Sequence, residues 1–142
     1  MTRPTIYLIS YSRIRIDAHE PAATLQLARA TPPNAHIIGS LECFTWEPPP
    51  REVCEQYSGV SSLVQRYVMS HSLARQGVRE GLKAIFNAQR AGYATIVLKT
   101  CCVAGTHRSV TAVEVMGRFL RANGYRVHML HPHRIMRPMD PY

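Results

Sequence analysis

Cys102, Gly105, Thr106, His107, Arg108 and Ser109 lie within eight consecutive residues, C-V-A-G-T-H-R-S, and their types and spacing suit phosphate chemistry. A thiolate at Cys102 would be a nucleophile for phosphorus. Gly105 can take positive φ and let the backbone approach a ligand. Arg108 offers a planar fork of donors matched to phosphate oxygens, and Thr106, His107 and Ser109 add side-chain donors. Two chemistries are open to such a set: holding an oxyanion, or attacking one.

Either use requires a strand to deliver the stretch and a helix to receive it. Residues 95–100, T-I-V-L-K-T, form a β-branched, apolar run that predicts a buried strand, and residues 109–123 show the spacing of an amphipathic helix. Val110, Val113, Met116, Gly117 and Leu120 make its apolar face. A loop leaving a strand and opening a helix gathers backbone N–H groups and the positive end of the helix dipole at one place. Glu114, one turn inside the helix, either pairs with Arg108 or His107 or faces solvent.

The rest of the chain alternates in the same way. Residues 5–16 predict a strand that leaves the core where Arg13 and Arg15 alternate with Ile14 and Ile16. Pro21 can open a helix that the Thr31-Pro32-Pro33 stop ends, and His36-Ile37-Ile38-Gly39 reads as a second short strand. Three consecutive prolines at the end of residues 41–50 force an extended loop carrying Cys43, Phe44 and Trp46, which can cover a site. Short helices over residues 51–57 and 62–69 flank a Ser58-Gly59 break, and a longer one is predicted over residues 73–91. Residues 125–130 give a last strand. Alternating strands and helices imply an α/β fold, a mostly parallel central sheet with helices on both faces. The loop then stands between a central strand and the following helix, at the carboxyl end where such sheets place ligands.

A chain of 142 residues suits one domain, here residues 1–130, followed by a basic, proline-broken tail over 131–142 that is expected to leave the domain body. No apolar run approaches the roughly 20 residues that span a bilayer, and no secretory leader is visible, so a cytoplasmic protein with no membrane partner is expected. Four cysteines are too few for a disulfide framework, and reduced thiols are the expectation. No metal site is predicted, because His128, His131 and His133 have no cysteine at zinc-site spacing. The formal net charge of +8, nearly all arginine, attracts phosphorylated metabolites or nucleic acid.

C-x-x-G-x-x-R-S is similar to the phosphate loop of cysteine-dependent phosphatases. In that reading Cys102 is catalytic, but a convincing general acid is lacking, since the chain holds only two aspartates, Asp17 and Asp140, and Glu42 or Glu47 on the aromatic loop would have to substitute. A longer match covers residues 95 to the tail, and more loosely the chain from residue 5. Cys102, Gly105, His107, Arg108, Ser109, Val110, Glu114, Gly124, Val127 and the pair His133-Arg134 resemble the C-terminal domain of the RapZ family of RNase adaptor proteins. Its loop there reads C-T-G-G-x-H-R-S-V, and Ser58-Gly59 falls where the family has T-G. Val103 and Ala104 depart from the family's Thr and Gly, and Ser40-Leu41-Glu42 stands where an acidic-x-Arg motif is expected.

The resemblance implies a stand-alone α/β domain that binds a phosphorylated amino sugar or nucleotide, glucosamine-6-phosphate in the best known members. It further implies contacts to small RNA and an RNase, and a homo-oligomer. Gly105, Thr106, His107, Arg108 and Ser109 would hold the phosphate. Arg118, Arg121, Arg126, His133, Arg134 and Arg137 would contact RNA phosphates. No cofactor is implied, and the G-x-x-x-x-G-K-[ST] loop of the family's nucleotide-binding half does not occur in these residues. The expected role is a ligand-sensing regulatory module rather than an enzyme. The alternatives are the phosphatase and an adaptor that has lost its ligand and only binds protein.

Overall fold

A computed structural model describes residues 2–142. Four strands, β1 (Thr5–Ser12), β2 (His36–Glu42), β3 (Thr95–Cys102) and β4 (Arg126–Leu130), form one sheet in the order β2-β3-β1-β4. Every neighbouring pair is parallel. Parallel neighbours require crossovers, and six helices supply them: α1 (Arg13–Asp17), α2 (Pro21–Ala30), α3 (Arg51–Gln56), α4 (Ser62–Met69), α5 (Ser72–Arg90) and α6 (Arg108–Ala122). The α/β fold with a parallel central sheet is therefore present, and β3 is central in it. No helix among the described residues is long and apolar enough to cross a membrane.

The core lies where one face of the sheet meets α4, α5 and α6. Ile6, Leu8 and Leu98 from the strands pack there with Val64, Val68, Ile85, Val113, Met116 and Leu120. Small residues let α5 approach closely: Trp46 of the aromatic loop lies against Gly77, where an added Cβ would stand 2.4 Å from its ring. Trp46 and Cys43 are both buried, so the loop after β2 is an anchored piece of the core.

Two expectations are corrected. The first strand ends at Ser12, and residues 13–17 turn into a short helix. Its register explains why: Ser12 pairs with Cys102, the last residue of β3, so a longer β1 would have no ladder partner on that side. Ser12 instead caps α1, its hydroxyl accepting from the Arg15 N–H at 3.3 Å. Second, residues 131–142 do not leave the body. They carry no helix or strand, as their prolines dictate, yet they run back across the carboxyl end of the sheet. The Met139 N–H donates to the Gln56 carbonyl at 2.9 Å, and His133 is only 2% exposed. Proline forbids regular hydrogen-bond ladders; it does not forbid packing by polar side chains.

Candidate functional site

β3 delivers Cys102 to the carboxyl edge of the sheet, and residues 103–107 turn the chain into α6. Three bonds fix that turn from below. The Thr100 hydroxyl donates to the Ser109 carbonyl at 2.8 Å, and the Cys102 sulfur lies 3.1 Å from Ser109 Oγ and 3.4 Å from Ser109 N. Cys102 is 2% exposed, so its thiol sits beneath the loop rather than at its mouth.

Glycines allow two close approaches around the loop. Gly105 has φ +74°, and a Cβ there would stand 2.6 Å from the Ser12 nitrogen of β1. Gly59 presses against the start of α6, where a Cβ would lie 2.5 Å from the His107 carbonyl oxygen, and its own N–H donates to Thr106 O at 2.9 Å. Thr106 is fully buried, its hydroxyl accepting from the Ile135 N–H at 3.2 Å. The loop is thus held between the end of β1, the Ser58-Gly59 break and the tail.

What remains unpaired is backbone. The N–H groups of residues 104–108 have no hydrogen-bond partner among the described residues. No side chain caps α6, whose N-cap residue is His107. A helix of 15 residues presents orphan N–H donors and positive dipole at that end, and an anion would satisfy both.

The expected phosphate ligands are brought together on the loop, but their side chains divide. His107 turns to α3, where Nε2 donates to the carbonyls of Cys54 and Tyr57 at 3.0 and 2.9 Å. Burial is the main reason its pKa falls below the usual histidine value, and nearby Arg137 adds to the effect. The ring is therefore neutral, with its proton on Nε2 and committed, and it has none to give a phosphoryl group. Arg108 reaches the aromatic loop, Nη1 donating to Phe44 O and Trp46 O at 2.8 and 2.9 Å. Its Nε and Nη2 have no protein partner among the described residues. Ser109 is spent on Cys102.

The expected RNA-contact residues are scattered. Arg118 and Arg126 are exposed. Arg121 is exposed as well, but its guanidinium donates to the Val127 carbonyl at 2.7 Å. His133 lies inside, Nδ1 accepting from the Ser12 N–H at 2.9 Å and Nε2 facing Ala23 O at 2.8 Å, with burial lowering its pKa. Arg134 and Arg137 belong to the loop's own surroundings.

Three residues that sequence reasoning did not place here, Asp140, His131 and Tyr142, complete the site together with Glu114. Asp140 accepts from Ser58 N and Ser58 Oγ at 2.7 Å each, and from Arg134 Nη1 and Arg137 N at 2.9 Å each. Burial alone would raise its pKa, but these donors outweigh burial and hold it below the ordinary aspartate value. Glu114 is buried and pairs with neither Arg108 nor His107. It faces His131 Nε2 at 3.0 Å and accepts from the Tyr142 hydroxyl, while His131 Nδ1 meets Ser10 Oγ at 2.8 Å. Burial followed by the Glu114 contact pushes the Tyr142 phenol up to about 12. The Ser58-Gly59 break was the only local signal for this arrangement; nothing near Asp140 or Tyr142 in sequence announces their partners.

No group of three or more His, Cys, Asp or Glu side chains among the described residues is placed to hold a metal ion. The chain matches the RapZ C-terminal domain family over residues 27–135. It is also similar to a protein of Desulforamulus reducens described as a nucleotide-binding protein, 30% identical over 103 residues. That alignment covers 70% of this chain and 30% of the relative, so the chain spans about three tenths of the relative's length.

Proposed function

Because the chain belongs to the RapZ C-terminal domain family, we propose that it is a regulatory module whose loop between β3 and α6 binds the phosphoryl group of a small molecule. The ligand is a nucleotide or a phosphorylated amino sugar. The observation that carries this reading is the run of unpaired N–H groups over residues 104–108 at an uncapped helix start. Backbone donors hold the phosphoryl group, and Arg108, through Nε and Nη2, adds charge from the side of the aromatic loop. The name of the Desulforamulus reducens relative supports a nucleotide as the first ligand to try.

The phosphatase reading finds no support in the geometry. Cys102 is covered, and Asp140, the aspartate next to the loop, is held as a carboxylate by four donors and so keeps no proton for a leaving group. RNA contact is a separate proposal that rests on Arg118, Arg126 and the net charge of +8.

The test is a titration of isotopically labelled protein with nucleotides, phosphosugars and inorganic phosphate. Amide shifts concentrated at residues 104–108 are the expected result. Arg108→Ala should weaken binding at least tenfold while retaining the fold by circular dichroism. Saturable binding that leaves those amides unmoved would sink the assignment.

A further inference from the structure

Asp140 is an unusual kind of tail residue. Its side chain is 2% exposed, and it collects four donors: a backbone N–H and a hydroxyl from Ser58, the Arg134 guanidinium, and the Arg137 N–H. Convergent N–H, hydroxyl and guanidinium donors are the set that recognises an oxyanion, whether carboxylate or phosphoryl. The position adjoins the loop, because the next residue after Ser58 donates to Thr106 O and the residue after Arg134 donates to the Thr106 hydroxyl.

The surroundings are short of negative charge. Burial pushes the Cys54 thiol pKa up, and Arg137 and Arg108 both lie close enough to oppose that rise; Arg137 also acts on His107. Arg137 Nε is buried with no partner. Three guanidinium groups therefore border the loop, and Asp140 is the one carboxylate bonded to any of them among the described residues. A second anion would be welcome there. The family match ends at residue 135, so Asp140 stands outside it.

Resting on the phosphate-binding reading above, we propose that Ser58 and Arg134 form a second oxyanion position beside the loop and that the Asp140 carboxylate is the chain's own occupant of it. The ligand class that fits both positions carries two linked anionic groups, such as the diphosphate of a nucleotide. One phosphoryl group takes the loop N–H groups. The other displaces Asp140, and the chain beyond residue 136 swings away. Arg134 stays, because His133 is bonded to β1 and α2 and Ile135 to Thr106. The tail is thus an internal competitor that sets the affinity of the site.

The probe is inorganic pyrophosphate, followed by calorimetry with the full chain and its Asp140→Ala variant, and by amide hydrogen exchange. The variant should bind at least tenfold more tightly, and adding Ser58→Ala to it should remove most of that gain. In the unaltered protein, saturating pyrophosphate should speed exchange at the Arg137 and Met139 amides, which the closed tail protects. Equal or weaker binding by the variant, or unchanged exchange at those amides under saturation, overturns the competitor and leaves the loop reading intact. Absence of pyrophosphate binding in both proteins overturns the loop reading as well as the competitor.

Discussion

Gly59 carries more of the site's geometry than any charged residue. Its missing side chain lets the Ser58-Gly59 break lie against the first turn of α6, and an added Cβ would meet His107 O at 2.5 Å, Thr111 N at 2.7 Å and Val110 Cβ at 2.7 Å. Two of those three are backbone atoms that cannot rotate aside. Gly59→Ala should therefore cost roughly 2 kcal/mol or more, read as a lower denaturation midpoint at unchanged slope. A loss below about 0.5 kcal/mol would mean that the break and α6 are not in register as described. His107 is instructive in another way. Its type and position in the loop predict a phosphate donor, but its proton is taken by two carbonyls of α3 and the residue beyond it, so its work is to tie α3 to the loop.

Among the elements, α6 is the hinge of the design. Its amino end faces the loop, its buried face packs on β1, β3 and β4, and Glu114 on its second turn anchors the tail through His131 and Tyr142. This wiring makes the join between α6, α3 and the tail sensitive to acid. His107 and His133 have lowered pKa values, burial being the main cause in both. Such groups stabilise the fold fully above the unfolded histidine value of about 6.5, and that contribution is lost as pH falls toward their folded values. Asp140 and Glu114 also have lowered values, their hydrogen-bond donors outweighing burial, so their contribution is present above about pH 4 and lost as pH falls through the folded values. Stability should thus decline in two stages on acidification. Asp140→Asn should flatten the lower stage and leave the upper one. Thermal melts at half-unit pH steps distinguish this from a single carboxylate transition.

At the scale of the whole molecule, charge is the dominant property. Seventeen basic against nine acidic residues leave a formal +8, and the ion pairs that exist are mostly local, such as Arg13 with Asp17 and Arg51 with Glu55. The remaining arginines create a field that draws in polyanions. Of the six residues expected to contact RNA, His133 and Arg134 are engaged internally, Arg137 is half-buried, and Arg121, though exposed, donates to the Val127 carbonyl, which leaves Arg118 and Arg126 as the exposed members with no hydrogen-bond partner among the described residues. RNA affinity should consequently show a shallow salt dependence, with a logarithmic slope of about −2, which is what roughly two to three phosphate contacts to a single strand give. A slope near −5 in filter-binding assays between low and physiological salt would place RNA on a broader arginine surface than these two residues provide.

Much of the architecture was legible because it depends on local pattern. The β-branched run of β3, the apolar face of α6 and the break at Ser58-Gly59 are short-range consequences of residue type, and they suffice to place the loop between β3 and α6 at the carboxyl edge of a parallel sheet. The list of residues gathered on that loop was equally legible, since adjacency in sequence guarantees adjacency in space. Side-chain direction was not. Whether Arg108 faces the loop mouth or the carbonyls of Phe44 and Trp46 depends on where a segment more than sixty residues away has packed. The end of β1 was decided by how far its neighbour β3 extends, and Ile14 and Ile16 carry no trace of that. The tail shows the limit most clearly. Its prolines forecast the lack of secondary structure, but the partner of Asp140 is Ser58, 82 positions earlier. Only the folded chain brings a carboxylate and its donors to one place, because desolvation and hydrogen-bond geometry act through space.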